Sequence, residues 1–219
     1  MARHGSPRAG RWPVQLRYKT DFTSEEYVSQ QAWRDASLEA CPAHPGGGCS
    51  FARHGTYERL RPAGTRIARW YCRQAQCTFS LLPDCLAARL SGSLEEVEAA
   101  VVAVEKARSV EAAADHLRPD IDLPGALRWT RHRLGPVHRA LRLLLALLPE
   151  LLLGCPPTVQ GFRQRLETEA VLITLRAIAA LYLPGLPPPL GFNPPSRSAG
   201  ERKTRRQHSM GPDPPARIS

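Results

Sequence analysis

The sequence predicts an α+β protein that is mostly α, with a small strand-rich module followed by a helical bundle. Three observations carry this. Between Cys41 and Ser80, glycines, prolines and short alternating stretches replace helical periodicity. From Ser91 onward apolar residues recur at helical spacing. The longest apolar run, Leu143 to Leu153, is interrupted by Pro149 and Glu150 and falls short of the roughly 20 residues a membrane span needs.

The elements follow in order. Residues 1 to 22 are rich in Arg, Gly and Pro and are expected to form a flexible basic arm, with at most a short strand around Val14 to Tyr18. Thr23 and Glu26 make a capping box, and Tyr27, Ala32, Trp33 and Ala36 supply an apolar face for a helix leading to Cys41. Two or three strands complete a module spanning residues 23–90. A second capping box, Ser93 with Glu96, opens a helix whose stripe is Leu94, Val97, Val101 and Val104. Ser109 caps a short helix, Val110 to Leu117, and Pro119 to Asp122 forms a turn. Pro124 then starts a helix that Gly135-Pro136 is expected to stop at Leu134, and a further helix spans Val137 to Leu148, which closes a bundle over residues 91–153. Gly161 to Leu183 reads as one more helix, in a segment spanning 154–185. Residues 186–219 are proline-rich and then basic, the composition of a disordered basic tail.

The chain has 219 residues and a formal net charge of +10, with a sequence pI near 9.9. Such a field attracts polyanions, nucleic acid first among them. The N-terminus is basic but lacks the apolar core of a secretory signal, so a cytoplasmic location is expected. Six cysteines in that setting fit metal ligands or packed thiols better than a disulfide framework.

Their clustering favours a metal. Cys41, His44 and Cys49 lie in CPAHPGGGC, and Cys72 and Cys77 lie in YCRQAQC, so two knuckles flank a stretch of strand. One Zn2+ needs four soft or borderline ligands in a tetrahedron, and two tight turns supply them without a large core. The expected set is Cys41, Cys49, Cys72 and Cys77, with His44 competing for one place because C-x2-H is also a ligand spacing. Metal-free packing of the same thiols is the alternative. Cys85 reads as a packed thiol, Cys155 has no partner in sequence, and His54 ranks lowest as a ligand.

The succession CP…GGC, F-x-RHGTYERL, RIARWYC and TFSLLPDCLAARL resembles a family of uncharacterised bacterial proteins tied to mobile elements, similar to the zinc-ribbon N-terminal regions of transposases. It covers roughly residues 38 to 150. What the resemblance implies is DNA association. The C-x4-C second knuckle departs from the usual ribbon spacing.

The helices between Leu94 and Leu134 have the lengths of a helix-turn-helix, whose last helix must pack one face and present the other to the major groove. Leu127, Thr130 or Arg131, and Leu134 give the inward spacing, and Arg128, Arg131, His132 and Arg133 gather on the outward side. Arginine there grips phosphates or donates in pairs to guanine. Trp129 is expected to pack inward. Arg53, Arg59, Arg61, Arg66, Arg69 and Arg73, interleaved with Phe51, Tyr57, Trp70 and Tyr71, give the ribbon cations and aromatic faces of its own, although Trp70 and Tyr71 also suit its small core. Of these, Arg53, Arg59 and Arg66 join the expected DNA contacts.

No phosphate loop, nucleophile elbow or carboxylate triad stands out, so a non-enzymatic role is expected. The reading that follows is a sequence-directed DNA-binding protein related to transposase DNA-binding regions, without a catalytic domain. A protein-interaction adaptor with a structural zinc ribbon and a truncated transposase remnant are the alternatives.

Overall fold

The computed structural model of the chain describes residues 14–192. The first part of the expected arm, residues 1–13, and the expected tail from 193 onward lie outside the described residues. The fold is mixed α+β and mostly α.

Four strands form one sheet in the order β1-β4-β3-β2: β1 Val14–Tyr18, β2 Phe51–Glu58, β3 Arg66–Cys72 and β4 Cys77–Pro83. β2, β3 and β4 are antiparallel neighbours, as short connections require, and β1 lies parallel to β4 with Leu16 opposite Leu81. Arg17 fastens that edge through two bonds to Asp84, at 2.8 and 2.7 Å. The short strand expected in the basic arm is therefore a sheet edge. A bulge between Arg53 and Thr56 takes up one register shift, and Gly55 sits there at φ +70°, a conformation that glycine adopts without strain.

Strand alternation sends side chains to two cores. Ile67 and Leu82 face the large one with Tyr27 and Trp33, whereas Ala68 and Leu81 meet Ala36 on the opposite side, continuing into Cys41, Cys72 and Phe79. Helix α1, Ser24–Ser29, opens on the expected Thr23–Glu26 capping box but stops far short of Cys41. Gln31 at φ +53° turns the chain, so Ala32, Trp33 and Ala36 are buried from a non-helical segment. That turn lets one stretch serve both faces of the sheet.

The bundle begins with α2, Leu94–Lys106, on its Ser93–Glu96 capping box, and α3, Val110–Leu117, capped by Ser109. Helix α4 runs unbroken from Leu123 to Leu147, through Gly135-Pro136. The expected stop is thus overturned. Proline removes one main-chain donor, a loss of about 3 kcal/mol in a free helix. Val137, Ala140, Leu141 and Leu144 are fully buried directly after it, and Val137, Leu141 and Leu144 each return roughly 1.5–3 kcal/mol. Continuity keeps all four on the face that carries Ala126 and Thr130.

Beyond α5, Pro149–Leu152, the expected single helix from Gly161 to Leu183 is two, α6 Val159–Leu166 and α7 Val171–Ile178, then a 3-10 turn over Ala180–Tyr182. Glu167 at φ +50° ends α6. Two carboxylates of α2 fix the helix starts: Glu105 accepts from the Val159 and Gln160 amides, and Glu98 accepts from the Leu172 amide and Arg163. Phe162, Leu172, Leu175 and Leu183 consequently join the core that holds Leu86, Leu94 and Val97.

Residues 186–192, expected to begin the tail, are inside that core through Leu186, Leu190 and Phe192. Arg176 of α7 is the reason. It is fully buried and donates to the carbonyls of Pro83, Asp84, Leu86, Pro189 and Leu190. Burial pulls its pKa down to about 9, still above neutrality, so a cation holds the segment against the end of β4. Among the described residues no helix is long and apolar enough to cross a membrane.

Candidate metal centre and basic helix face

Two consecutive turns build the first knuckle. The His44 amide donates to the Cys41 carbonyl at 3.0 Å and the Gly47 amide to the His44 carbonyl at 2.9 Å. Gly47 and Gly48 follow at φ +81° and +77°, with open space around them, so backbone freedom selects glycine here. The chain then returns Cys49 to the same place. Cys72, the last residue of β3, enters from the other side, its sulfur accepting from the Ala75 amide at 3.4 Å. Gln74 ties the knuckles together, accepting from the Ser50 amide at 2.8 Å and donating to its hydroxyl at 3.3 Å.

Cys41, His44, Cys49 and Cys72 thereby offer four ligand atoms within 4.8 Å of one another. Nδ1 of His44 lies 3.6 Å from Sγ of Cys41 and 3.4 Å from Sγ of Cys72. A tetrahedral ion about 2.3 Å from sulfur and about 2.0 Å from nitrogen requires S–N edges of roughly 3.5 Å. The group can hold one metal ion, and the residues fit zinc in number, softness and spacing. Burial, with hydrogen bonds shared with Cys41 and Cys72, pushes the Cys49 thiol up to about 11. Burial acts the same way on Cys72, but the Ala75 amide and the neighbouring thiols outweigh it and hold Cys72 below its ordinary value. Cys72 therefore gives up its proton more readily than Cys49.

Cys77, expected as a ligand beside Cys41 and Cys72, is outside this group, and Cys49 and His44, expected to compete for one place, are both in it. Cys77 stands opposite Cys72 across the β3–β4 pair, yet its sulfur is directed at the Thr78 carbonyl, 3.8 Å away, and at the Val14 main chain of β1. Burial raises its pKa. Cys85 is 2% exposed and burial pushes its thiol up to about 12, the environment of an inert packed thiol. His54 is exposed on β2 against Tyr71, ring centroids 5.5 Å apart.

The cations divide between structural and open positions. Arg53 donates to the Trp33 and Arg34 carbonyls, both at 2.6 Å, and Arg59 donates to the carbonyls of Ala87 and Leu90. Burial lowers the Arg59 pKa. Both guanidiniums are engaged in holding main chain together, and Arg66 alone of the three expected sheet contacts is exposed without such a bond.

On α4, Arg128, Arg131 and His132 are exposed as expected, with Arg131 3.6 Å from the equally exposed Glu111. Arg133 is half-buried and lies 3.8 Å above the Trp129 ring, while Arg118 lies 5.2 Å from the same ring. Trp129 therefore stacks between two guanidiniums instead of packing inward. Because α4 is continuous, Arg139 and Arg142 extend the exposed series. At about 100° per residue, Arg128, Arg131, His132, Gly135, Arg139 and Arg142 share one arc of roughly 100° and run about 21 Å along the axis. The helix contains no Asp or Glu. Reading a stop at Gly135-Pro136 hides this stripe; the i, i+3, i+4 spacing of arginine through the proline is the signal that reveals it.

No protein-family model, curated protein or solved structure matches this chain.

Proposed function

We propose that the chain is a sequence-directed, non-catalytic DNA-binding protein, related to transposase DNA-binding regions, in which α2, α3 and α4 act as a helix-turn-helix and one Zn2+ braces the sheet. The stripe on α4 is the observation that carries it, since an exposed arc of arginines with no carboxylate on its own helix, and only Arg131 facing an acid of a neighbouring helix, Glu111, favours an external polyanion. The arrangement of α3, a polar turn and α4 supports placing the first half of that stripe in a major groove, Arg128 and Arg131 foremost. Zn2+ on Cys41, His44, Cys49 and Cys72 fills a closed set of four protein ligands, the pattern of a structural ion, and would cross-link the knuckles on which β2 and β3 end.

The test is duplex binding at low salt by fluorescence anisotropy, with Arg128→Gln/Arg131→Gln beside the unaltered protein. Loss of binding at an unchanged thermal midpoint is expected; equal affinity rejects the groove assignment. A second reading rests on Leu143 and Leu147, one turn apart at the end of α4, and Leu151 of α5, each about 40% exposed, followed by Leu153 at 80%. Such a face suits a protein partner. An adaptor would keep its partner and show no duplex affinity in either form.

A further inference from the structure

The sheet and the bundle meet at a second group of cations. Arg59 donates to the Leu90 carbonyl and Arg133 to the next one, Ser91, at 3.5 Å, so the far end of β2 stands directly beside α4. Past Arg59 the β2–β3 connection presents Leu60, 93% exposed, and an exposed Arg61. The charge of Arg61 acts on Asp120 and on Arg133 alike. Arg118 and Arg133 in turn stack on Trp129 at 5.2 and 3.8 Å.

Two carboxylates stand against these three guanidiniums. Asp120 is bound by Arg118 through two contacts of 2.7 Å, and Glu96 is occupied in its capping box with Ser93. Among the described residues neither Arg61 nor Arg133 forms an ion pair. Burial lowers the Arg133 pKa, and Arg118 and Arg61 push it the same way, so the fold holds like charges together around an aromatic ring. Forked guanidinium donors beside an indole are suited to a phosphate oxygen with a sugar or base edge at the ring.

We propose that Arg118 and Arg133, set against the Trp129 ring, form with Arg61 of the adjacent β2–β3 connection a phosphate-binding site occupied by a backbone phosphate of the duplex that lies on α4. Its phosphate chemistry stands independently; its occupant rests on the DNA reading above. Trp129 and Arg133 sit about 100° and 140° around the helix from Arg128, beyond His132 at the near edge of the stripe. A duplex seated on the stripe therefore has a strand within reach, and the sheet and the bundle grip one polyanion through a shared phosphate.

Two probes separate the parts. Inorganic tripolyphosphate is titrated at low ionic strength while tryptophan fluorescence is recorded. A saturable change is expected, absent in Trp129→Phe and shifted at least threefold to higher concentration in Arg61→Gln. Arg61 is exposed, so that variant should keep the fold; Arg118→Gln is the second variant if its thermal midpoint moves. No saturable change, or an identical curve in the arginine variants, overturns the site. The second probe is a 16-base-pair duplex, where Arg61→Gln should reduce the slope of log K against log salt by about 0.9. Duplex binding with an unchanged slope overturns the site on the DNA path. Tripolyphosphate binding without any duplex binding leaves the phosphate site standing and removes DNA as its occupant.

Discussion

Arg139→Gln/Arg142→Gln tests the continuous stripe. Both residues are exposed on α4 beyond Pro136, and glutamine is a good helix former, so stability should stay within about 0.5 kcal/mol. If Arg128, Arg131, Arg139 and Arg142 each neutralise one phosphate, the stripe contributes about −3.6 to the slope of log K against log salt, at about −0.9 per phosphate on duplex DNA. Between 50 and 200 mM salt that share alone lowers affinity about 150-fold. The double variant should show a slope smaller in magnitude by about 1.8, leaving a stripe share worth about 12-fold over the same range. Anisotropy titrations at four or five salt concentrations give both slopes. With its near half in the groove, a stripe about 21 Å long places its far half where flanking phosphates lie. A double variant with the slope of the unaltered protein would refute this, because α4 beyond the proline would then face away from DNA.

Three other outcomes follow from the same contacts. Elemental analysis should find one equivalent of zinc in Cys77→Ser and none, or a weakly held ion, in His44→Ala; the reverse order would reinstate Cys77 as the ligand. Arg176→Met strands five buried carbonyls on β4, its following loop and residues 189–190. Hydrogen bonds to a charged group contribute about 1.5–3 kcal/mol each, and burying the guanidinium costs several kcal/mol, so a net loss of about 3–5 kcal/mol is expected in urea unfolding. A change under about 1 kcal/mol would mean that the segment is held by its leucines alone. The Glu105 carboxyl is opposed by burial, but its bond to His138 and the Val159 and Gln160 amides hold it below 4.5. A depressed carboxyl stabilises the fold fully above its unfolded value and loses that contribution as pH falls through the folded one. Stability measured downward from pH 5 should accordingly drop more steeply in the unaltered protein than in Glu105→Gln, and parallel curves would count against the role given to Glu105.

Much of this fold was legible in the sequence, and what was legible is local. The caps at Thr23, Ser93 and Ser109 are bonds between residues three apart, so the residue types that make them announce the helix starts. Strand alternation between Phe51 and Pro83 and the ligand types within each cysteine knuckle are written at similarly short range. Tertiary structure decided the rest. Which side chains meet in the candidate metal cluster was decided by tertiary structure: His44 joins Cys41, Cys49 and Cys72, while the Cys77 sulfur faces the Val14 main chain of β1. The passage of α4 through Gly135-Pro136 depends on a core that rewards Val137 to Leu144 for keeping one face, and with it comes the length of the arginine stripe. Residues 186–192 carry little periodicity of their own and are ordered by a guanidinium that reaches them from α7 while also holding the end of β4. A bond between neighbours in sequence forms wherever its two residues occur, whereas these three outcomes required elements distant in the chain to be brought together first.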